Sequence, residues 1–173
     1  MRTQAIILKK IPIREYDDMV VCYTLHAGKQ IYQAKSIRRS TSKQASHLDL
    51  LNYIDFSLVG SNGYPIITSA YALKTFSGLK SDLRALVVGY FLLEVFDKLV
   101  FEGEADTRLW NFLLLNLEKL DKLAGKSEQN LFRTIEIIKK ELLIVMGYDA
   151  SAQIEQIAGA RFKSLQFARK VIG

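Results

Sequence analysis

Cysteine occurs once in this sequence of 173 residues, at Cys22, and histidine twice, at His26 and His47. One cysteine forms no intramolecular disulfide and no CxxC zinc site, which fits a reducing, cytoplasmic setting. Two histidines leave little material for a His-rich metal or catalytic centre. Long apolar runs are also missing: Leu86 to Leu93 ends at Glu94, well short of the ~20 residues a bilayer span requires. The first fifteen residues have no long apolar core and no small-residue cleavage site, so they do not read as a signal peptide. The chain is nevertheless 49% hydrophobic and 24% charged, a composition that buries a core and argues against global disorder.

Charge is distributed unevenly. The formal net charge is +6, and residues 1–80 carry all of it, with 11 Lys/Arg against 5 Asp/Glu. Residues 81–173 are balanced, with 13 of each. A basic module joined to a neutral one points to a polyanionic partner for the basic part. A solvated surface with a chance excess is the plainer reading of the same numbers.

The hydrophobic period changes along the chain. Ala5 to Leu8, Met19 to Leu25, Gln30 to Ala34, Leu50 to Val59 and Pro65 to Ala70 read as strands, with turn signals at Ala27-Gly28-Lys29 and Gly60-Ser61-Asn62-Gly63. Five short strands in under 80 residues predict a small closed barrel, because closure removes exposed edges. Between the third and fourth strands, Lys35 to Ser46 holds four basic groups and no acid. It has no periodicity that predicts a packed face. From about residue 76 the spacing turns helical. One helix carries Leu79 to Leu99, a second Leu109 to Leu120 and a third, starting near Ser127, Leu131 to Val145. A fourth runs from Ala150 to Val171, and four amphipathic helices predict a compact bundle. The division expected is a nucleic-acid-binding barrel over 1–77 and a helical domain over 78–173.

Catalytic chemistry is hard to assemble from these residues. Glu15, Asp17 and Asp18 cluster near a turn and suggest a carboxylate site for a divalent ion, but a solvated turn between two strands explains them as well. Cys22 lies among apolar strand neighbours and reads as a buried small hydrophobe. His26 has no serine or cysteine placed for it to activate. No catalytic residue, metal ligand or cofactor is therefore assigned. The basic groups make the better case: Arg14, Lys29, Lys35, Arg38, Arg39 and Lys43 surround the predicted barrel and can neutralise phosphates. Tyr16, Tyr23, Tyr32 and Tyr53 share that half and are candidate stacking faces for bases, of which at most two are expected to touch nucleic acid, the others being core or barrel surface.

Residues 4–60 resemble the N-terminal part of the RecO recombination mediators of bacteria. The resemblance rests on the apolar first strand, the turn ending Glu15-Tyr16-Asp17, Thr24 four residues before Gly28, and Ala34-Lys35 leading to Arg38-Arg39 and Ser42. It continues through Tyr90-Phe91-Leu92-Leu93-Glu94, the Leu-rich run from Leu109 to Leu120, and Phe132 through Gly147-Tyr148-Asp149. Two departures stand out. Ser36 takes a position where the family usually has glycine, and Ser151 to Gly159 contains none of the paired cysteines that bind zinc in many members. The chain also ends earlier than typical members, so zinc binding is not expected.

The resemblance implies an OB-fold barrel followed by an all-α domain. It implies binding of single- and double-stranded DNA, annealing of complementary strands, and assistance in loading RecA with RecR, without enzymatic turnover. RecR and the acidic C-terminal tail of the single-strand-binding protein are the implied partners. The family suggests an apolar groove for that tail, with Arg133, Lys139 and Lys140 beside the Leu131–Ile138 face as local candidates. A protein-interaction scaffold and an RNA-binding OB protein are the alternatives, separable by loop-charge removal and by competition between RNA and DNA. A metal-dependent nuclease built on Glu15, Asp17 and Asp18 is a further one, testable by a cleavage assay with Mg²⁺.

Overall fold

In the computed structural model, which describes residues 1–60, 62–126 and 130–171, the β-branched and aromatic first half forms five strands. These are β1 (Arg2–Pro12), β2 (Asp18–Thr24), β3 (Gly28–Ala34), β4 (Tyr53–Val59) and β5 (Ile66–Lys74). They close into a barrel in the order β1-β2-β3-β5-β4. β3 meets β5 in parallel at Gln33 and Ile66, and the other pairings are antiparallel. This is an OB-type barrel.

β1 extends well beyond the apolar run Ala5–Leu8 because it serves two neighbours. Arg2 to Ile6 pair with Ser57 to Tyr53 of β4, and Ala5 to Pro12 pair with Thr24 to Asp18 of β2. The register shifts between Ile7 and Lys9. β5 is likewise longer than expected, since Tyr71 to Lys74 complete its pairing with β4. Inside the barrel, Ala5, Ile7, Val20, Cys22, Ile54 and Phe56 are buried together. Tyr32 meets Phe56 edge to face, with ring centroids 5.3 Å apart. The turn between β4 and β5 includes Ser61, which lies outside the described residues.

The segment between β3 and β4 departs from expectation. It has a packed face: Ile37 and Leu48 belong to the barrel core, with Ala45 against it. Successive turns bring these residues inward, so their spacing matches neither a helix nor a strand. Arg39 N–H donates to Ser36 O, Ser42 N–H to Arg39 O, and Leu48 N–H to Gln44 O. The buried Asn52 fastens the end of the segment, its Nδ2 donating to the carbonyls of Ser46 and His47 at 2.9 Å each. Leu50 to Asn52 are thereby turn rather than strand.

The chain divides into two compact units. One comprises Met1–Thr75 and Val100–Asp106, the other Phe76–Leu99 and Thr107–Gly173. In the first, the returning segment lies along β3. Gly103 N–H donates to Lys29 O at 3.0 Å, and Tyr23 Oη exchanges hydrogen bonds with the backbone of Asp106. Gly28 has φ +64°, and a Cβ there would stand 2.0 Å from Glu104 O. Both the left-handed backbone and the close approach demand glycine.

The second unit contains α1 (Ser77–Ser81), α2 (Leu83–Leu99), α3 (Thr107–Leu123), α4 (Leu131–Val145), α5 (Ile154–Ala158) and α6 (Lys163–Val171). Asp82, in extended conformation, separates α1 from α2. Its Oδ1 accepts the Arg84 and Ala85 N–H groups that open α2, and its Oδ2 accepts Gly125 N–H. α2 is buried on most of its circumference, with Phe91 edge to face against Phe162 and Phe96 stacked on Phe112. The expected start of the third helix near Ser127 lies outside the described residues. α4 is capped by Asn130, whose side chain accepts Arg133 N–H.

The single helix expected over 150–171 is two helices. α5 stops at Gly159, which adopts φ 61°, and α6 restarts four residues later on the Glu94 carboxylate. That carboxylate accepts Lys163 N–H at 2.8 Å, Ser164 N–H at 3.0 Å and Ser164 Oγ at 2.8 Å. Among the described residues no helix is long and apolar enough to cross a membrane.

Candidate nucleic-acid interface

Antiparallel pairing brings two connecting segments to one end of the barrel. Pro12 faces Asp18, and Asp18 faces Ala34, so the β1–β2 turn and the segment after β3 emerge side by side. The turn is tight: Ile13 and Arg14 N–H both donate to Asp17 O. Asp17 Oδ1 then accepts Ser36 N–H at 2.7 Å. Ser36 has φ 55°, a left-handed conformation that turns the chain back over the barrel end. Arg38 N–H donates to Tyr16 O at 3.0 Å, and Arg38 Nη1 to Arg14 O at 3.5 Å.

Five of the six cations singled out in the barrel sequence meet here. The Arg14 guanidinium is 3.9 Å from Asp17 Oδ2 and remains largely in solvent. Lys35, Arg38, Arg39 and Lys43 are all exposed. Lys35, Arg39 and Lys43 line a concavity together with Ser36, Thr41 and Ser42, and no carboxylate lines it. Its polar side chains are cations, hydroxyls and the Gln44 amide, all of which can donate to a phosphate oxygen. The hydroxyls were not expected to contribute, and the run Ser40-Thr41-Ser42 is the signal that marks them. Lys29 stands apart. It lies at the start of β3 beside Glu102, six residues along the strand from Lys35, or roughly 20 Å at a strand's rise.

The tyrosines separate as well. Tyr23 and Tyr32 are buried, and burial pushes the Tyr32 hydroxyl up to about 12. Neither presents a ring face to a ligand, so two of the four tyrosines are core and two are left as candidate stacking residues. Tyr53 is partly buried, with its hydroxyl donating to Gln4 Oε1. Tyr16 is 38% exposed, and the Arg39 guanidinium lies over its ring at 5.1 Å.

The acidic trio near the turn is divided among different neighbours. Asp17 holds Ser36, Asp18 is buried with Oδ2 3.9 Å from Lys10 Nζ, and Glu15 raises the pKa of the neighbouring Tyr16 hydroxyl. Among the described residues no three His, Cys, Asp or Glu side chains converge in a metal-holding group. Cys22 is fully buried, and burial pushes its thiol far above the ordinary range.

In the helical unit, the three cations singled out on α4 differ in availability. Arg133 and Lys140 are exposed. Lys139 is committed to two carboxylates, Glu155 at 2.7 Å and Glu136 at 3.1 Å. Burial opposes its charge, but the bonds from Glu155 and Glu136 outweigh it and hold its pKa above the usual lysine value. Leu131, Ile135 and Ile138 are buried, so the face expected to line an open groove is core.

Residues 1–76 match the family described as "Recombination protein O N terminal". Over longer stretches the chain is similar to proteins named DNA repair protein RecO. It is 31% identical to that of Geobacter metallireducens over 121 residues, 70% of this chain and 50% of the relative. It is 30% identical to that of Dehalococcoides mccartyi over 147 residues, 85% and 56% of the two chains. With that of Nocardioides it shares 35% identity over 115 residues, 66% and 47%. The chain spans about half the length of the curated relatives it matches.

Proposed function

This chain belongs to the RecO family, and on that premise we propose that it acts in DNA repair and recombination as a non-catalytic, cytoplasmic mediator that binds DNA at the basic end of its barrel. The observation that carries the proposal is the convergence of Arg14, Lys35, Arg38, Arg39 and Lys43 on one barrel end, three of them around a concavity without a carboxylate. Such a surface takes backbone phosphates of single or double strands and releases their counterions. Holding two strands there lowers their mutual repulsion, so annealing proceeds without bond chemistry.

RecR and the acidic tail of the single-strand-binding protein are the protein partners we propose, with RecA loaded as the outcome. For the acidic tail, Arg133 and Lys140 are the cations open to solvent, whereas the two carboxylates on Lys139 argue against its taking part.

The direct test is a salt titration of oligonucleotide binding by the intact chain. Log affinity should fall linearly with log salt, by about 0.7 per phosphate contacted on single strands. Affinity that does not respond to salt would remove the phosphate-binding role.

A further inference from the structure

Six tyrosines occupy the barrel half. Tyr64 and Tyr71 are exposed, with Tyr71 against the His47 ring, and Tyr16 is exposed with its ring packed against a cation of the basic segment. Tyr23 and Tyr32 are inside, and Tyr53 is partly buried with its hydroxyl bonded to Gln4. Tyr16 sits in the β1–β2 turn, a position that frames the ligand surface in OB barrels. Its backbone is fixed from both sides, since its carbonyl accepts Arg38 N–H and the adjacent Asp17 holds Ser36. Its ring carries Arg39 at 5.1 Å and is still 38% exposed. What the ring offers a base is its face, the part that stacks.

We infer that Tyr16, with Arg39 packed on it, is a stacking position for an unpaired base, and that it makes this surface favour single strands over duplex. The inference rests on the DNA-binding reading above and adds a specificity determinant to it. Phosphates held by Lys35 and Lys43 present the same charge from either kind of strand. A π-face is accessible only on a base that has left the duplex stack. The flat guanidinium of Arg39 extends the tyrosine ring into a platform, and a neighbouring phosphate can still reach its N–H groups. Ring and cation thus act on the same nucleotide, one on its base and the other on its backbone.

The test compares Tyr16→Ala, Tyr16→Leu and Tyr16→Phe with the parent chain, on a single-stranded oligonucleotide carrying 2-aminopurine and on the matching duplex. Stacking on an aromatic is worth roughly 1–3 kcal/mol per base, about ten-fold in affinity in the lower part of that range. Tyr16→Ala and Tyr16→Leu should therefore lose about ten-fold on the single strand and less than about two-fold on the duplex. Tyr16→Phe should match the parent. The salt slope should stay unchanged in all three, because a stacked base releases no counterions. Quenching of 2-aminopurine on binding should be seen with the parent and Tyr16→Phe, and be lost in Tyr16→Leu, which keeps apolar bulk without a π-face.

Equal losses on single strand and duplex, an altered salt slope, or full affinity in Tyr16→Ala would each overturn the inference while leaving the phosphate site standing. A Lys35→Ala, Arg38→Ala, Lys43→Ala variant that binds both substrates like the parent would instead overturn the DNA-binding reading itself. Urea midpoints measured for every variant separate loss of fold from loss of contact.

Discussion

The side chain of Asp17 and the backbone of Ser36, 19 residues apart in sequence, are joined by a 2.7 Å hydrogen bond. That bond couples two stretches that read as unrelated in the sequence, the acidic turn after β1 and the basic segment after β3. It gives the acid a purpose inside a basic surface. Asp17 is the anchor that sets where Lys35, Arg38 and Arg39 stand.

Removing that anchor should therefore act against the net charge. Asp17→Ala makes the protein more cationic, yet DNA affinity should fall because the loop cations lose their common position. A hydrogen bond to a charged acceptor contributes roughly 1.5–3 kcal/mol, so the urea midpoint should fall accordingly. Asp17→Asn keeps an acceptor oxygen and should retain more of both properties. An affinity gain in Asp17→Ala would show that charge alone governs binding.

Ser36 occupies the left-handed region with φ 55°, at a cost of about 1–2 kcal/mol for a residue with a Cβ. Glycine avoids that strain but loses roughly 0.5–1 kcal/mol to its freer unfolded chain. Ser36→Gly should therefore stabilise the protein by about 0.5–1 kcal/mol in chemical denaturation, with the Asp17 bond intact. Destabilisation would mean that the Ser36 hydroxyl matters more than its backbone.

Replacing Lys35 and Lys43 together by Ala should weaken binding of every oligonucleotide sequence. The salt slope on single strands should flatten by about 1.4 if each side chain holds one phosphate. Both groups are exposed, so stability should change by no more than about 0.5 kcal/mol. Parent affinity and slope in a folded variant would remove these two residues from the interface.

Glu94 supports α6 through Ser164 and Lys163. Burial raises the pKa of its carboxyl, but those N–H bonds outweigh it and bring the value below the ordinary 4.5. The folded state therefore binds this proton less readily than the unfolded chain. The resulting stability is present above pH 4.5 and is lost as pH falls below it through the folded value. Glu94→Gln should be less stable near neutrality and should flatten the stability profile on the acid side of pH 4.5. Denaturation midpoints collected across that range check both outcomes, and parallel profiles for parent and variant would contradict them.

The strands were legible from two signals: Ile54 and Phe56 alternate with less buried neighbours, whereas Met19 to Leu25 is a run of β-branched and aromatic residues in which Val20 to Thr24 are all buried. The four basic loop groups were legible as charge, but their arrangement was not. Arg38 and Arg39 are positioned by Tyr16 and Asp17, and no local pattern records which loops a barrel brings together. Ile37 and Leu48 were missed for a related reason: a chain of turns buries residues at irregular intervals. The break at Gly159 had a visible signal, a glycine inside an apolar-periodic run. The acceptor that lets α6 start again, Glu94, lies 69 residues upstream of Lys163. Tyr16 looked like Tyr23 and Tyr32 in sequence, and burial separates it from those two.

The return of Val100–Asp106 to the barrel unit has a consequence for synthesis. Every strand has been made by residue 74, but the segment that meets Lys29 O and the Tyr23 hydroxyl comes after α2. At roughly 5–20 residues per second, the stretch from Thr75 to Asp106 takes about 2–6 s to translate. For that interval every strand has been synthesised while the segment that lies along β3 has not, so the contacts to Lys29 O and Tyr23 can form only after α2 has been made.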